Sequence, residues 1–192
     1  RIFNFSTAND TVTLTDDATA NLSQLVSAAN FSGFTFRVPT TDLTINLGEG
    51  NDSLTVEGID SSFAGNVTAN GGTGLGVPDT EVDTLIGTDG MEVFTVNAAN
   101  EGTMITGGAL QTDFFEFESL GGRGGDDDFT VVAGVTLSGS IVGGDGNDDF
   151  IINGTVGGNL DGGNDIDQLT SPPPGGVTGV ISNIETVNVN GG

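Results

Sequence analysis

Asp145, Asn147, Asp148 and Asp149 crowd into one short run, framed by Gly143, Gly144 and Gly146 and followed by Phe150. Similar clusters stand at Gly48, Gly50, Asn51 and Asp52 before Leu54, at Asp126, Asp127 and Asp128 before Phe129, and at Asn164, Asp165 and Asp167 before Leu169. Such clusters offer oxygen ligands only. They suit a hard cation of Ca²⁺ size, which takes about 6–8 oxygens and accepts backbone carbonyls among them. Mg²⁺ fits less well, because it demands strict octahedral geometry and few protein ligands. The same side chains can instead accept hydrogen bonds from their own turns and need no metal. Both readings stand on the residues alone.

The rest of the inventory removes most other chemistry. The 192 residues contain no His, Cys, Trp, Tyr or Lys, so no imidazole base, thiolate, Schiff-base amine or zinc site of the usual kind is available. Carboxylate pairs such as Glu116 with Glu118 could imitate a glycosidase, whose two acids lie about 5–10 Å apart. A polysaccharide-active β-helix enzyme, a lyase or glycosidase, is therefore the alternative. The acids recur in repeated turns, however, with no Trp or Tyr to stack on a sugar, and the chain reads as non-enzymatic. The formal charge is −24, with Arg1, Arg37 and Arg123 as the only cationic side chains, so nucleic acid and anionic membrane surfaces are repelled. No apolar run approaches the roughly 18 residues of a membrane span, so no membrane insertion is expected. A start at Arg1, without Met or a signal sequence, reads as a processed or excised piece. Seven Asn-X-Ser/Thr sequons, at Asn4, Asn9, Asn21, Asn30, Asn51, Asn66 and Asn153, are about what abundant Ser and Thr would yield by chance.

Something must bring these clusters together, and the pattern around them says what. From about Leu43 a loose unit recurs: a Gly/Asp/Asn cluster, an Asp two residues before Phe or Leu, then a short Thr/Val/Ile run. The run Gly121-Gly122-Arg123-Gly124-Gly125-Asp126-Asp127-Asp128-Phe129 follows it with one residue to spare, and fainter echoes lie at Asp10 and Val12, Asp83 and Leu85, from Gly87 to Phe94, and at Asp113 and Phe115. Phe94 to Phe115 and Phe129 to Phe150 are equal intervals, and Phe150 to Leu169 is only slightly shorter. This common period of about 20 residues suggests one solenoid coil per unit, with the marked apolar residues stacked inside. Each coil would hold short strands such as Phe129-Thr130-Val131-Val132, Val135-Thr136-Leu137 and Ser140-Ile141-Val142. Stacked coils would bring the turns at 126–128, 145–149 and 161–167 into one column, where like charges repel unless cations separate them. Residues 1–42 differ, being rich in Phe, and read as an N-terminal cap or strand-exchange segment ahead of a solenoid at 43–192. Within them, Leu22, Leu25, Val26 and Ala29 fall at helix-like intervals and predict one or two helical turns over 18–30. Pro172-Pro173-Pro174-Gly175-Gly176 interrupts the repeat before a last pair of strands, and reads either as a wide loop or as the separator of a terminal coil.

Gly143-Gly144-Asp145-Gly146-Asn147-Asp148-Asp149-Phe150-Ile151 resembles, over its full length, the glycine-rich nonapeptide of the RTX (haemolysin-type) calcium-binding repeats. The runs at 47–55 and 162–170 are near matches. True RTX rolls carry the nonapeptides in tandem, whereas here they lie a whole coil apart. The stretch from Phe117 to Phe150 and the closing Ile181-Ser182-Asn183-Ile184-Glu185-Thr186-Val187 are similar to longer-period relatives in large bacterial surface proteins. The resemblance implies an all-β fold, a right-handed parallel β-solenoid (β-helix or β-roll), secreted and stabilised by Ca²⁺, in an adhesin or matrix protein. By position it implies ligands at Gly144, Asp145, Gly146, Asn147, Asp148 and Asp149, with Gly48, Gly50, Asn51 and Asp52, and Asn164, Asp165 and Asp167, as matching sets. The expected setting is extracellular or at a cell surface. Expected partners are neighbouring modules or further copies joined end to end, even as filaments, and a cell-surface or matrix glycan.

Overall fold

A computed structural model describes residues 1–27, 31, 33–72, 80–171 and 176–189 of the chain. Every regular element among them is a β-strand, as short runs of Thr, Val, Ile and Phe broken by Gly and Asp favour. The first sheet runs, neighbour to neighbour, Ile2–Asn4, Leu43–Asn46, Val67–Asn70, Leu110–Phe115, Glu101–Thr106, Glu92–Ala98, Asp128–Val131, Asp149–Ile152, Gln168–Ser171 and Thr186–Val189. The second runs Ile181–Ser182, Leu160–Asn164, Ile141–Asp145, Ser119–Gly124, Thr84–Ile86, Ser53–Val56, Thr11–Asp16, Leu22–Val26 and Phe34–Arg37. A third, short sheet holds Thr136–Leu137, Thr155–Val156 and Gly176–Val177.

The chain visits the sheets in rotation, so neighbouring strands are mostly parallel. Up to Ser119–Gly124 it steps from the first sheet to the second; after Asp128–Val131 each pass also crosses the third. Successive passes keep strict register, with Asp128 beside Asp149 and Phe129 beside Phe150, then Phe150 beside Leu169. Period-2 alternation sends every second side chain inward. Phe94, Phe129 and Phe150 stack there with centroids 4.7 and 5.1 Å apart and planes within 4° and 8°. Val12, Leu54, Leu85, Leu120, Ile141 and Leu160 form the matching inner column of the second sheet.

Three expectations from spacing need correction. The interval from Phe94 to Phe115 is not one pass, because Glu92–Ala98, Glu101–Thr106 and Leu110–Phe115 form an antiparallel meander within the first sheet. Phe114 is the buried residue there, while Phe115 points outward. The run ending at Phe129 has no residue to spare. It aligns from Gly122, with Arg123 beside Gly144 and Gly124 beside Asp145, and Arg123 accordingly takes a left-handed φ of 82° in a glycine's place. Finally, the described part of 18–30 holds no helix. Leu22–Val26 is a strand antiparallel to Thr11–Asp16 and Phe34–Arg37, and Ser23 and Leu25 are its inward pair. Short apolar runs fit either period, and the available strand partners decide between them. Residues 28–30 and Pro172, Pro173, Pro174 and Gly175 lie outside the described residues.

Ile2–Asn4 and Thr11–Asp16 pair in parallel with Leu43–Asn46 and Ser53–Val56, so the start of the chain, through Asp16, continues the same sheets. At this end Phe3, Phe5, Phe31, Phe34 and Phe36 pack ring on ring. The Arg1 guanidinium lies 5.3 and 5.5 Å from the centroids of Phe3 and Phe36.

Candidate functional site

The strands must bend where the chain leaves one sheet for the next, and backbone N–H groups lose their ladder partners at such corners. Acidic side chains take their place. Where the chain enters the first sheet, the N–H of Glu92 donates to Asp127 Oδ1 at 2.6 Å and that of Asp127 to Asp148 Oδ1 at 2.8 Å. The N–H of Asp148 donates to Asp167 Oδ1 and that of Asp167 to Glu185 Oε2, both at 2.8 Å. A second column marks entry into the second sheet. There the N–H groups of Asp10, Asp52 and Asp83 donate to Asp52 Oδ1, Asp83 Oδ1 and Glu118 Oε2 at 2.6, 2.7 and 2.8 Å.

Each rung except Glu185 stands two residues before a buried apolar residue, as Asp148 does before Phe150, so alternation turns its carboxylate toward the core; Glu185 and Val187, at the edge of the first sheet, are exposed. Asp52, Asp83, Glu92, Asp127, Asp148 and Asp167 are accordingly buried. The room comes from glycine. Gly143 occupies an inward position of Ile141–Asp145, and a Cβ there would collide with Asp148 Oδ2 and the Gly162 carbonyl. Gly122 and Gly162 stand in the same relation to Asp127 and Asp167. The opening glycines of the repeat are thus strand residues that seat a carboxylate, not turn residues.

In four rungs one oxygen is used and the other is not. Asp52, Asp127, Asp148 and Asp167 each bury an Oδ2 without a hydrogen-bond partner. Burial, with like charges above and below, lifts these carboxyls: Asp127 to about 8, Asp148 and Asp52 to about 6, and Asp167 upward. Glu92 and Asp128 rise for the same first reason.

The predicted ligands divide between the two columns. Asp126, Asp127 and Asp128, Gly144, Asp145, Gly146, Asn147, Asp148 and Asp149, and Asn164, Asp165 and Asp167 come together at the corner into the first sheet. Gly48, Gly50, Asn51 and Asp52 lie at the other corner, between Leu43–Asn46 and Ser53–Val56. The outer members also bond from pass to pass. Asp126 Oδ1 accepts the N–H of Asn147 at 2.8 Å, Asp145 Oδ1 accepts Asn164 Nδ2–H at 2.6 Å, and Asn147 Oδ1 accepts the N–H of Ile166 at 3.2 Å. At the other corner Asn51 Oδ1 accepts the N–H of Val82 at 2.7 Å. Among the described residues no three acidic side chains converge as a ready-made metal cage.

Glu92, Glu118 and Glu185 are column members that the sequence reading did not single out as such, although Glu92 lies within the echo at 87–94. Their signal is the same acid two places before Phe94, Leu120 and Val187, written with Glu instead of Asp. Glu118, weighed above as a catalytic acid, is buried and also accepts Asn100 Nδ2–H at 2.9 Å. Asp113 is no rung, because it lies within the antiparallel meander. Comparison with protein-family models, with curated proteins and with solved structures finds no match to this chain.

Proposed function

We propose that the chain is a non-enzymatic structural module of an extracellular or cell-surface protein. It is a right-handed β-solenoid whose acidic corners bind Ca²⁺, and it serves as a spacer or adhesive surface. The observation that carries this reading is the pair of carboxylate columns, in which four buried rungs each keep an unpartnered oxygen. Side chains committed to holding one pass against the next are a structural device, and the engaged carboxylate of Glu118 supports a role outside catalysis.

The donor set fits a hard cation. Asp, Asn and glycine carbonyls offer only oxygen, and a chain of charge −24 stacks its acids in register. The residues that would hold Ca²⁺ are Asp126, Asp127, Asp145, Asp148, Asp165 and Asp167 with the carbonyls of Gly144 and Gly146. Asp52 and Asn51, with Gly48 and Gly50, would serve at the other corner. Bound there, the ion neutralises like charges, and its binding free energy adds to folding free energy. Self-association follows the same logic: Ile2–Asn4 and Thr186–Val189 are the edge strands of the first sheet, and edges pair with further strands, from neighbouring modules or other copies.

The test is a thermal melt by circular dichroism of chelator-stripped protein, titrated with Ca²⁺ or Mg²⁺ at constant ionic strength. We expect a Ca²⁺-specific rise of roughly 5–10 °C at a hundredfold excess over its dissociation constant. A melt indifferent to Ca²⁺ would remove the ion and leave the hydrogen-bonded columns as the sole stabiliser of the corners.

A further inference from the structure

One concavity of the molecule lies away from both columns. Residues 57–66 connect Ser53–Val56 to Val67–Asn70, and they face the turn that joins Glu101–Thr106 to Leu110–Phe115. Between them is a half-open cleft of about 490 Å³, within the size range of small-molecule sites. Its apolar wall is Ile59, Phe63 and Leu110, all partly buried against the core. Ser61 and Asn66 are exposed at its rim. Thr106 also lines it, nine-tenths buried, and its Oγ1 is buried without a hydrogen-bond partner.

Hydrogen bonds hold the wall in place without any ligand. Asp60 donates its N–H to Ser23 Oγ at 3.0 Å, and its carboxylate accepts the N–H of Asn21 at 3.0 Å, the N–H of Ser62 at 2.8 Å and the Ser62 hydroxyl. The N–H of Asn66 donates to Asp42 Oδ1 at 3.1 Å. Gly65 lies so close to the Thr41 carbonyl that a Cβ would collide with it. Loop ordering is therefore already accomplished, which lowers the cost of binding.

The geometry points to this cleft as a binding site for a neutral saccharide. A sugar ring combines an apolar face with hydroxyls, matching a Phe63, Ile59 and Leu110 wall beside the exposed Asn66 and Ser61 side chains. The one charged lining residue is Asp60. Its carboxylate is saturated by Ser62 and Asn21, which hold it ionised, so an anionic sugar is repelled. This site deepens the adhesive part of the proposed function by naming its ligand class, and it rests on that reading.

The experiment is an NMR titration of the labelled chain with methyl glycosides of glucose, galactose, mannose and N-acetylglucosamine, and with glucuronate, each with and without Ca²⁺. We expect amide shifts confined to residues 58–66 and 106–110 for at least one neutral glycoside, and none with glucuronate. Phe63→Ala should weaken binding about 10-fold or more, and Asn66→Ala about 5-fold. The spectrum outside the cleft reports whether each variant folds. Absence of cleft shifts with all four glycosides, shifts that survive both Phe63→Ala and Asn66→Ala, or equal binding of glucuronate would each overturn the assignment. A Ca²⁺-indifferent melt combined with cleft shifts would instead count against the calcium reading alone.

Discussion

Asp148 shows how one residue serves two demands. Its Oδ1 receives the Asp127 N–H, and its Oδ2 is buried over Gly143. Asp148→Asn keeps the acceptor and removes a buried charge, whereas Asp148→Ala leaves the Asp127 N–H without its partner. In chelator near neutral pH, urea denaturation should find the Asn variant at least as stable as the parent and the Ala variant weaker by about 1–3 kcal/mol. An Ala variant as stable as the parent would mean that the column holds nothing. Gly143→Ala should cost about 1–3 kcal/mol through overpacking. Gly121→Ala is its control: a Cβ there meets only Ile86, at 3.8 Å, and stability should stay within about 0.5 kcal/mol.

Strands in this chain are defined by what stacks on them. Phe129 is clamped between Phe94 and Phe150 in parallel register, while Phe115, a similar residue in a similar strand, faces out. Phe129→Ala should therefore cost about 3–5 kcal/mol, and Phe115→Ala less than about 1 kcal/mol. Equal losses in chemical denaturation would contradict the column. The acid placed two residues before an apolar one was legible as a repeat, since period-2 alternation ties both side chains to one face. Leu22–Val26 was not legible, because four apolar residues in a short stretch fit a helix as well as a strand. Its partners, Thr11–Asp16 and Phe34–Arg37, lie on either side of it in sequence without announcing their pairing.

At the scale of the molecule, the columns make folding sensitive to pH. Burial sets the folded carboxyls of Asp52 and Asp148 near 6 and that of Asp127 near 8, above their ordinary value of 3.8. The folded chain then holds protons that the unfolded chain has released. This contribution to stability is whole below the ordinary value and is lost as pH rises through about 6 and then about 8. In chelator, calorimetry should find a higher melting temperature near pH 5 than near pH 8. Under the proposed function, Ca²⁺ restores much of the difference at the higher pH by taking the place of the lost protons. A melting temperature that climbs from pH 5 to pH 8 in chelator would contradict the buried columns.

The sequence by itself determined that the chain is built of strands, that its passes from about Asp128 onward recur at a nearly constant interval, and that Asp127, Asp148 and Asp167 share a corner. Those facts rest on alternation and spacing, which are local and written in the order of residues. Only the tertiary structure decided that Asp52 belongs to a different column, that the meander at 92–115 interrupts the parallel order, and that Gly143 is a seat for a carboxylate. It also decided that the cleft beside Phe63 exists, since its two walls, at 58–66 and 106–110, are distant from each other in the chain. Each of these depends on which segments become neighbours across long loops, and no local period encodes that choice.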